Sequence, residues 1–143
     1  ALAKDFGVSA DVFSVTSFNE LTRDGQAAER WNMLHPTSEP KKAYISQVLS
    51  TDAPAIVATD YMKIYGEQLR AYIPTDYKVL GTDGFGRSDS RANLRHHFEV
   101  DAKFIVIAAL KSLVERNEMP VDVLTKAIKD YGIDADKINP QFA

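Results

Sequence analysis

The stretch that decides the fold occupies residues 78–89 and reads KVLGTDGFGRSD. Its first part, Lys78 to Thr82, is predicted to be a β-strand. Asp83 to Arg87 then form a glycine-rich turn, and Ser88 or Asp89 offers a side-chain oxygen that caps a following helix. The stretch therefore predicts a strand, a tight turn and a helix in direct succession.

Two more strands are predicted upstream of this unit. Residues 55–59 are a compact apolar run behind Pro54, which is typical of a buried parallel strand. Residues 11–18 are rich in β-forming side chains. Helical patterns follow both runs, at about residues 19–31 and 61–72. Because strands and helices alternate, the sequence predicts a parallel α/β sheet with helices on both faces.

Helical signals dominate the last third of the chain. Asp101 is a suitable cap for a helix that ends near Arg116, and Pro120 suits the first turn of a last helix. At the other end, residues 1–6 resemble the end of a helix, and Gly7 fits its C-terminal cap. Because this pattern places the start of the chain inside a helix, we expect the chain to be a piece of a longer protein.

The composition limits the functional classes. The 143 residues suit one domain, and 45% hydrophobic with 26% charged residues is an ordinary balance for a soluble protein. The net charge of -3 argues against a nucleic-acid partner, although Arg87, Arg91 and Arg95 predict a local basic surface. The absence of cysteine excludes disulfides and thiolate chemistry. No apolar run reaches the roughly 18 residues of a membrane span, and no signal-peptide pattern is present.

The glycine-rich turn has two interpretations. Backbone N–H groups of such a turn, placed before a helix, are able to hold an anion, and ligands of open α/β sheets lie beyond the carboxyl ends of the strands. Alternatively, the glycines only shape a tight connection and Phe85 packs against the protein. The spacing matches neither the dinucleotide fingerprint nor the P-loop, so both interpretations stay open.

No pattern identifies a metal or a nucleophile. Asp83 and Asn93 offer oxygen ligands of the kind that Mg²⁺ prefers, but Asn93 follows too closely for the diphosphate motif of thiamin enzymes. None of the serines lies in the Gly-x-Ser-x-Gly elbow of a hydrolase. We therefore predict no metal-binding and no catalytic residue in the chain.

Two adjacent histidines fall on a predicted helix. His96 and His97 point about 100° apart there, so they cannot grip one metal as an i, i+4 pair would. One of them is expected to pair with Glu99 or Asp101, and the other to serve a structural or interface role. His35 is expected to make a loop contact.

Longer stretches are more specific than these short patterns. Residues 11–18 read DVFSVTSF, residues 29–36 read ERWNMLHP, residues 80–91 read LGTDGFGRSDSR and residues 93–101 read NLRHHFEVD. Together they resemble the homodimeric bacterial type of pyruvate dehydrogenase, the decarboxylating component of a multienzyme complex. The resemblance covers nearly the whole chain.

The resemblance implies a fold class and a domain arrangement. Residues 1–143 would be a single C-terminal domain of a larger chain. The fold would be α/β, with three α/β/α layers and a mostly parallel sheet similar to the transketolase C-terminal domain. In the family, a strand that precedes this region in sequence lies in the sheet between the two strands that match residues 11–18 and 55–59. We therefore expect the sheet of this chain to lack its first strands. Those two runs should then not pair directly in a monomer.

The resemblance also implies the reaction of the parent chain. Such enzymes decarboxylate pyruvate on thiamin diphosphate with Mg²⁺ and transfer the acetyl unit to a lipoyl group. The cofactor supplies the carbanion chemistry, and its protein ligands lie mainly on earlier domains. We therefore expect this domain to have a structural role, to bind no cofactor itself and to be inactive alone. The expected compartment is the cytoplasm, with no membrane contact.

The implied partners are protein segments. They are the remaining domains of the parent chain, a homodimer partner and the lipoyl acetyltransferase component, with no nucleic acid. The candidate domain-contact residues are Asp83, Phe85, Arg87, Asp89, Arg91, Arg95, His96 and His97. Two other hypotheses remain: a free-standing α/β module that binds an anion at the Gly81–Ser88 turn, and a small enzyme that uses one of the paired histidines.

Overall fold

A computed structural model describes residues 1–143, which fold into seven α-helices and two β-strands. The helices are α1 (Leu2–Phe6), α2 (Phe18–Leu34), α3 (Tyr44–Val48), α4 (Lys63–Glu67), α5 (Arg91–His97), α6 (Ala102–Glu115) and α7 (Val121–Asp130). The strands are β1 (Ala55–Ala58) and β2 (Tyr77–Leu80), and short 3-10 helices span Arg70–Tyr72 and Pro140–Phe142. None of the helices is both long and apolar enough to cross a bilayer.

The sheet consists of two parallel strands. Ala55 is in register with Tyr77 and Ala58 with Leu80, which confirms the strands predicted at 55–59 and 78–82 to within two residues at either end. Successive residues of a strand point their N–H groups to opposite edges. Since β1 has a strand neighbour only on the β2 side, its opposite edge has no strand partner.

The strand predicted at residues 11–18 is wrong. The segment between α1 and α2 has no regular structure, and α2 begins at Phe18. Val12 and Phe13 are exposed, Val12 at 93% of its surface. β-forming side chains make a strand only where a neighbour completes the hydrogen-bond ladder, and no strand lies beside this segment. The run therefore does not pair with β1, and the sheet contains only β1 and β2.

The helix predicted at residues 61–72 is interrupted. α4 is short, and the chain then continues as the 3-10 helix Arg70–Tyr72. The Thr82 N–H donates to the Tyr61 carbonyl at 2.9 Å, which occupies the acceptor that a helix starting at this residue would use. Gly66 further weakens the helix, but a Cβ there would lie 2.7 Å from Val79.

Local capping explains the long helices. The Ser17 hydroxyl accepts a hydrogen bond from the Glu20 N–H at 3.2 Å and starts α2. The Asp101 carboxylate accepts from the N–H groups of Lys103 and Phe104 and starts α6. Such caps satisfy N–H groups that have no partner inside the helix. The cap predicted at Asp101 is therefore confirmed.

The cap predicted at Ser88 or Asp89 is wrong, because α5 begins later than expected. There the Ser90 hydroxyl accepts from the Asn93 N–H at 3.3 Å and starts the helix.

Two hydrophobic clusters stabilise the fold. The first joins α3, the 3-10 region and β2 through Ala43, Ile45, Leu69, Ile73, Tyr77 and Val79. The second joins α6 and α7 through Val106, Leu110, Leu124 and Ala127. The two clusters share no buried residue. Polar contacts between the half of the molecule around the first cluster and the half around the second therefore also hold the two halves together.

Arg116, which follows α6, makes the main polar contact between these halves. Its guanidinium donates to Asp52 at 2.7 Å, to Asp76 at 3.3 Å and to Glu118 at 2.6 Å. Asp52 and Asp76 precede β1 and β2, so one side chain holds the start of both strands against α6. The bond from Arg116 lowers the pKa of the Asp52 carboxyl below its ordinary value.

We predict that Arg116→Gln lowers the midpoint of thermal unfolding at pH 7. The matched control is Arg23→Gln, which removes an exposed ion pair with Glu20 and is expected to change little. Since the folded-state pKa of Asp52 is lowered, its contribution is present above the ordinary value of 3.8 and is lost as the pH falls below it. The difference between Arg116→Gln and wild type should therefore shrink in acid. Equal midpoints for both variants at pH 7 would contradict the prediction.

Candidate docking site

The candidate site lies at the carboxyl ends of β1 and β2. In parallel sheets these ends meet at one edge, where ligands and partners of α/β proteins usually bind. The loops that follow the two strands are joined by hydrogen bonds: Thr82 N–H to the Tyr61 carbonyl at 2.9 Å, and Lys63 N–H to the Asp83 carboxylate at 3.0 Å. The glycine-rich loop and the start of α4 therefore form one surface.

Gly81 permits this close approach of the two loops. A Cβ at this position would lie 2.8 Å from the Lys63 nitrogen and 2.9 Å from the Tyr61 carbonyl oxygen. Both are backbone atoms, so neither can move away without disturbing its loop. A side chain at Gly81 is therefore not tolerated without separation of the loops.

Large apolar side chains are exposed on this surface. Tyr61 and Tyr65 pack edge to face with ring centroids 5.7 Å apart, yet 70% of Tyr61 is exposed. Met62, Ile64 and Phe85 are exposed as well. We call these five residues the carboxyl-edge face. Apolar groups clustered on a surface commonly mark a protein interface.

The basic residues beside this face are not equivalent. Arg95 on α5 bonds to the Asp60 carboxylate at 3.1 Å and so joins α5 to the loop after β1. Arg91 and Arg87 have no ion pair in the structure. The arginines that the sequence groups together therefore divide into one structural contact and two cations free for an interaction.

His96 has the structural role predicted for one of the two histidines. Its Nδ1 lies 3.0 Å from the Asp101 carboxylate. Burial by itself would raise the pKa of Asp101, but hydrogen bonds from His96 and from the N–H groups of Phe104 and Lys103 hold it below its ordinary value. The pairing with Asp101 is confirmed, and Asp101 is also the cap of α6.

His97 points away from this pair, toward a pocket beside the glycine-rich loop. Burial lowers its pKa, and the positive charges of Arg87 and Lys137 lower it further, against a smaller opposite effect of Glu99. Its Nε2 atom is buried and has no hydrogen-bond partner. The two neighbouring histidines therefore occupy different environments, as their angular separation on a helix requires.

The structure does not bring Asp83 and Asn93 together as a magnesium site. Asp83 accepts from Lys63, whereas the Asn93 amide donates to the Asp89 carboxylate at 2.8 Å. No group of three or more His, Asp or Glu side chains is arranged around a possible metal position. His35 was expected to make a loop contact, but its ring stacks on that of Trp31, a residue of α2, with the ring centroids 4.4 Å apart.

The C-terminal tail fixes the far side of the site. The Lys137 ammonium donates to the His97 carbonyl at 2.8 Å at the end of α5 and lies 3.3 Å from Glu99. Gly84 lies against the tail, and a Cβ there would be 2.3 Å from the Pro140 carbonyl oxygen. Sequence reasoning missed this role of the tail, because nothing local in the tail signals a contact with the glycine-rich loop.

Sequence reasoning also missed most of the carboxyl-edge face. It identified Phe85, but it placed Tyr61 and Ile64 in a helix at residues 61–72, with Ile64 on one stripe with Leu69 and Tyr72. The only available signal was the position of these residues directly after a predicted strand, at the edge where parallel sheets bind partners.

Fold and site together define a small parallel α/β domain with an exposed apolar edge. Residues 1–101 match the sequence profile of the transketolase-like TK C-terminal domain. The chain belongs to this family, and the sequence-based resemblance to a transketolase C-terminal domain is confirmed. The helices and the small parallel sheet are consistent with the predicted α/β class.

The similar proteins are bacterial enzymes. The chain is 62% identical over 143 residues to a protein of Escherichia coli K12 named pyruvate dehydrogenase E1 component. It is 54% identical to the protein of the same name from Haemophilus influenzae and 46% identical, over 140 residues, to that from Cupriavidus necator. The alignments cover 99%, 99% and 97% of this chain. The chain spans 16% of the length of each of these relatives.

Proposed function

We propose that the chain is the C-terminal assembly domain of a longer enzyme of the pyruvate dehydrogenase E1 type. The observation that carries the proposal is the carboxyl-edge face, which exposes five large apolar side chains on one joined surface. A protein surface of this kind is stabilised when a partner covers it. The length of the relatives supports a partner within the same chain, because most of each relative lies outside the matched region.

The open edge of β1 supports the same proposal. Unpaired strand edges are usually covered or extended in native proteins. A strand from an earlier part of the longer chain, placed on this edge, would complete a mostly parallel sheet between two helical layers. The three-layer α/β/α arrangement is thus part of the proposal.

The reaction of the longer chain is proposed from the names of the relatives. It would decarboxylate pyruvate on thiamin diphosphate with Mg²⁺ and transfer the acetyl unit to a lipoyl group of an acetyltransferase component, in the cytoplasm. The present residues would contribute no cofactor ligand. They would position the other domains and support a homodimer.

The candidate contact residues have different proposed roles. Phe85 lies in the apolar face, and Asp83 holds the loop that carries it. Arg91 is free to bind an acidic group of the partner. Arg95 and His96 fix α5 through Asp60 and Asp101, while Arg87, Asp89 and His97 form a pocket at the margin of the contact surface.

A charge placed on the carboxyl-edge face tests the docking role. In the natural chain that contains these residues, Ile64→Asp is expected to disrupt assembly and pyruvate turnover, because docking would bury the new carboxylate without a partner. Val121→Asp is the matched control. Ile64 and Val121 are 58% and 59% exposed and both lie in the first turn of a helix, where a carboxylate is tolerated.

Analytical ultracentrifugation measures the assembly of each variant, and a pyruvate decarboxylation assay measures its turnover. Loss of assembly and activity in Ile64→Asp but not in Val121→Asp supports the proposal, and equal behaviour of the two variants contradicts it. The chain of 143 residues is assayed in parallel. Turnover of pyruvate by this chain alone, or its saturable stabilisation by thiamin diphosphate, would refute the assembly role.

A further inference from the structure

A polar pocket lies between the glycine-rich loop and α5. Its volume is about 290 Å³, and its lining residues are Arg87, Ser88, Asp89, Asn93, Leu94 and His97. None of these residues belongs to the carboxyl-edge face, and Lys137 of the C-terminal tail donates to the His97 carbonyl beside the pocket. The docking proposal therefore does not account for it.

Three hydrogen-bonding groups of the pocket residues have no partner within the protein: two are exposed and one is a buried atom. The Arg87 guanidinium makes no ion pair and the Ser88 hydroxyl makes no hydrogen bond, although both line the pocket. The Nε2 atom of His97 is buried without any partner. Buried polar atoms without partners are rare in native proteins, and one frequent reason is a bound water or ion.

The carboxylate inside the pocket does not satisfy these groups. Asp89 accepts from the Asn93 amide at 2.8 Å and from the Ser90 N–H at 2.6 Å. These bonds lower its pKa, so it remains ionised and already has its partners. What is left in the pocket is one cation and two groups that are able to donate.

We propose that this pocket binds a small oxyanion, a phosphate group or the carboxylate of a small molecule, held by Arg87, Ser88 and His97. An oxyanion accepts hydrogen bonds from all three groups, and charge-assisted bonds to a guanidinium are among the strongest in proteins. A cation would be repelled by Arg87, and an apolar ligand would leave all three groups without partners.

The other buried polar atom without a partner provides a contrast. It is the Tyr131 hydroxyl, which lies near the acidic Asp5 and packs edge to face with Phe6. The nearby Lys103 ammonium already donates to the Tyr131 carbonyl at 2.8 Å. The combination of an orphan donor with a free guanidinium is therefore particular to the pocket at Arg87.

Binding of an oxyanion is expected to take up a proton at His97. In the free protein, burial and the charges of Arg87 and Lys137 disfavour the imidazolium of His97 and so lower its pKa, and only Glu99 favours it. The Asp89 carboxylate lines the same pocket. A bound anion offsets the two cations. Because the complex then binds the proton more tightly than the free protein, affinity for the anion must rise as the pH falls through the titration of His97.

Mass-spectrometric measurement of hydrogen exchange at the histidine C2 atom tests this on the natural chain, because it reports the pKa of each histidine separately. The probe is sodium sulfate, whose charge is constant over the range used, balanced with sodium chloride at fixed ionic strength. Sulfate is expected to raise the pKa of His97 saturably, and exchange at the His35 ring, the control, is expected not to respond to sulfate. A parallel titration with acetate distinguishes a tetrahedral anion from a carboxylate.

Substitutions assign the effect to the pocket. Arg87→Gln is expected to weaken the sulfate response about tenfold or more, as loss of a charged hydrogen bond requires. Arg30→Gln, the same change at an exposed position on α2, should leave the response intact. If Arg87→Gln alters the circular dichroism spectrum, Ser88→Ala replaces it as the test, with a smaller loss expected.

Three results would overturn the proposal. They are the absence of a sulfate response at His97, an equal response at His35, and an unchanged response in Arg87→Gln. A His97 pKa that is already raised in the natural chain and insensitive to sulfate would mean that a carboxylate of the protein fills the pocket. That result also rejects a small-molecule site, and it leaves the docking test at Ile64 unaffected.

Discussion

Leu110→Ala is expected to destabilise the chain by about 3 kcal/mol or more, within the range of fully buried leucines. Leu110 is 0% exposed and packs between α6 and α7 with Val106, Leu124 and Ala127. Truncation removes apolar contacts and leaves a cavity that two helices held by their loops cannot close. Since domains of this size are stable by only about 5–15 kcal/mol, the loss is a large share of the total.

Urea unfolding monitored by circular dichroism measures this change as a lower midpoint at an unchanged slope. Leu34→Ala makes the same chemical change at a position that is 51% exposed, and it should cost less than about 0.5–1 kcal/mol. If both leucine variants unfolded at the same urea concentration, the helix pair would not be the second core of the fold.

Gly84→Ala is expected to detach the C-terminal tail from the glycine-rich loop. The φ angle of Gly84 is +106°, a region that side chains rarely adopt, and a Cβ would lie 2.3 Å from the Pro140 carbonyl oxygen. Backbone strain of this kind costs about 1–3 kcal/mol. The clash with a backbone atom adds to this, because only movement of the tail or of the loop relieves it.

Gly86→Ala is the matched control in the same loop. A Cβ at Gly86 meets no atom within 4 Å, and the residue has no positive φ. Hydrogen exchange of residues 134–143 measures the effect: Gly84→Ala should expose these amides, and Gly86→Ala should leave their protection unchanged. Equal protection in both variants would contradict the contact between loop and tail.

The sequence predicted the elements whose signals are local. The starts of α2, α6 and α7 are marked by Ser17, Asp101 and Pro120. Such signals are local, because each of these residues directly precedes its helix and lies within a few residues of the N–H groups of the first turn. The strands predicted at 55–59 and 78–82 were also confirmed. The first is a short, continuous apolar run, which has few alternatives to a strand of a parallel sheet, and the second is followed directly by the glycine-rich turn.

Failures occurred where the outcome depends on a distant segment. Residues 11–18 have β-forming side chains but no strand neighbour, so their preference is not realised. The predicted helix at 61–72 loses its first turn because Thr82, from another loop, takes the carbonyl of Tyr61. In both cases the deciding hydrogen-bond partner is remote in sequence.

The candidate site shows the same division. The sequence identified the loop at 81–89 and predicted that one of the two histidines pairs with Glu99 or Asp101. The structure selects His96 and Asp101. The sequence did not predict that Tyr61 and Ile64 are exposed beside Phe85, or that Arg87 and His97 share a pocket. Exposure and pocket formation depend on which surfaces other elements leave uncovered.

By itself, the sequence determined the family, the α/β alternation and the limits of the capped helices, because these depend on composition and on contacts between near neighbours in the chain. Only the tertiary structure decided which strands pair, which apolar side chains remain exposed and which charged groups lack a partner. The physical reason is that pairing, burial and charge neutralisation are properties of segments that meet in space, and their free energies are fixed only once the distant segments are in contact.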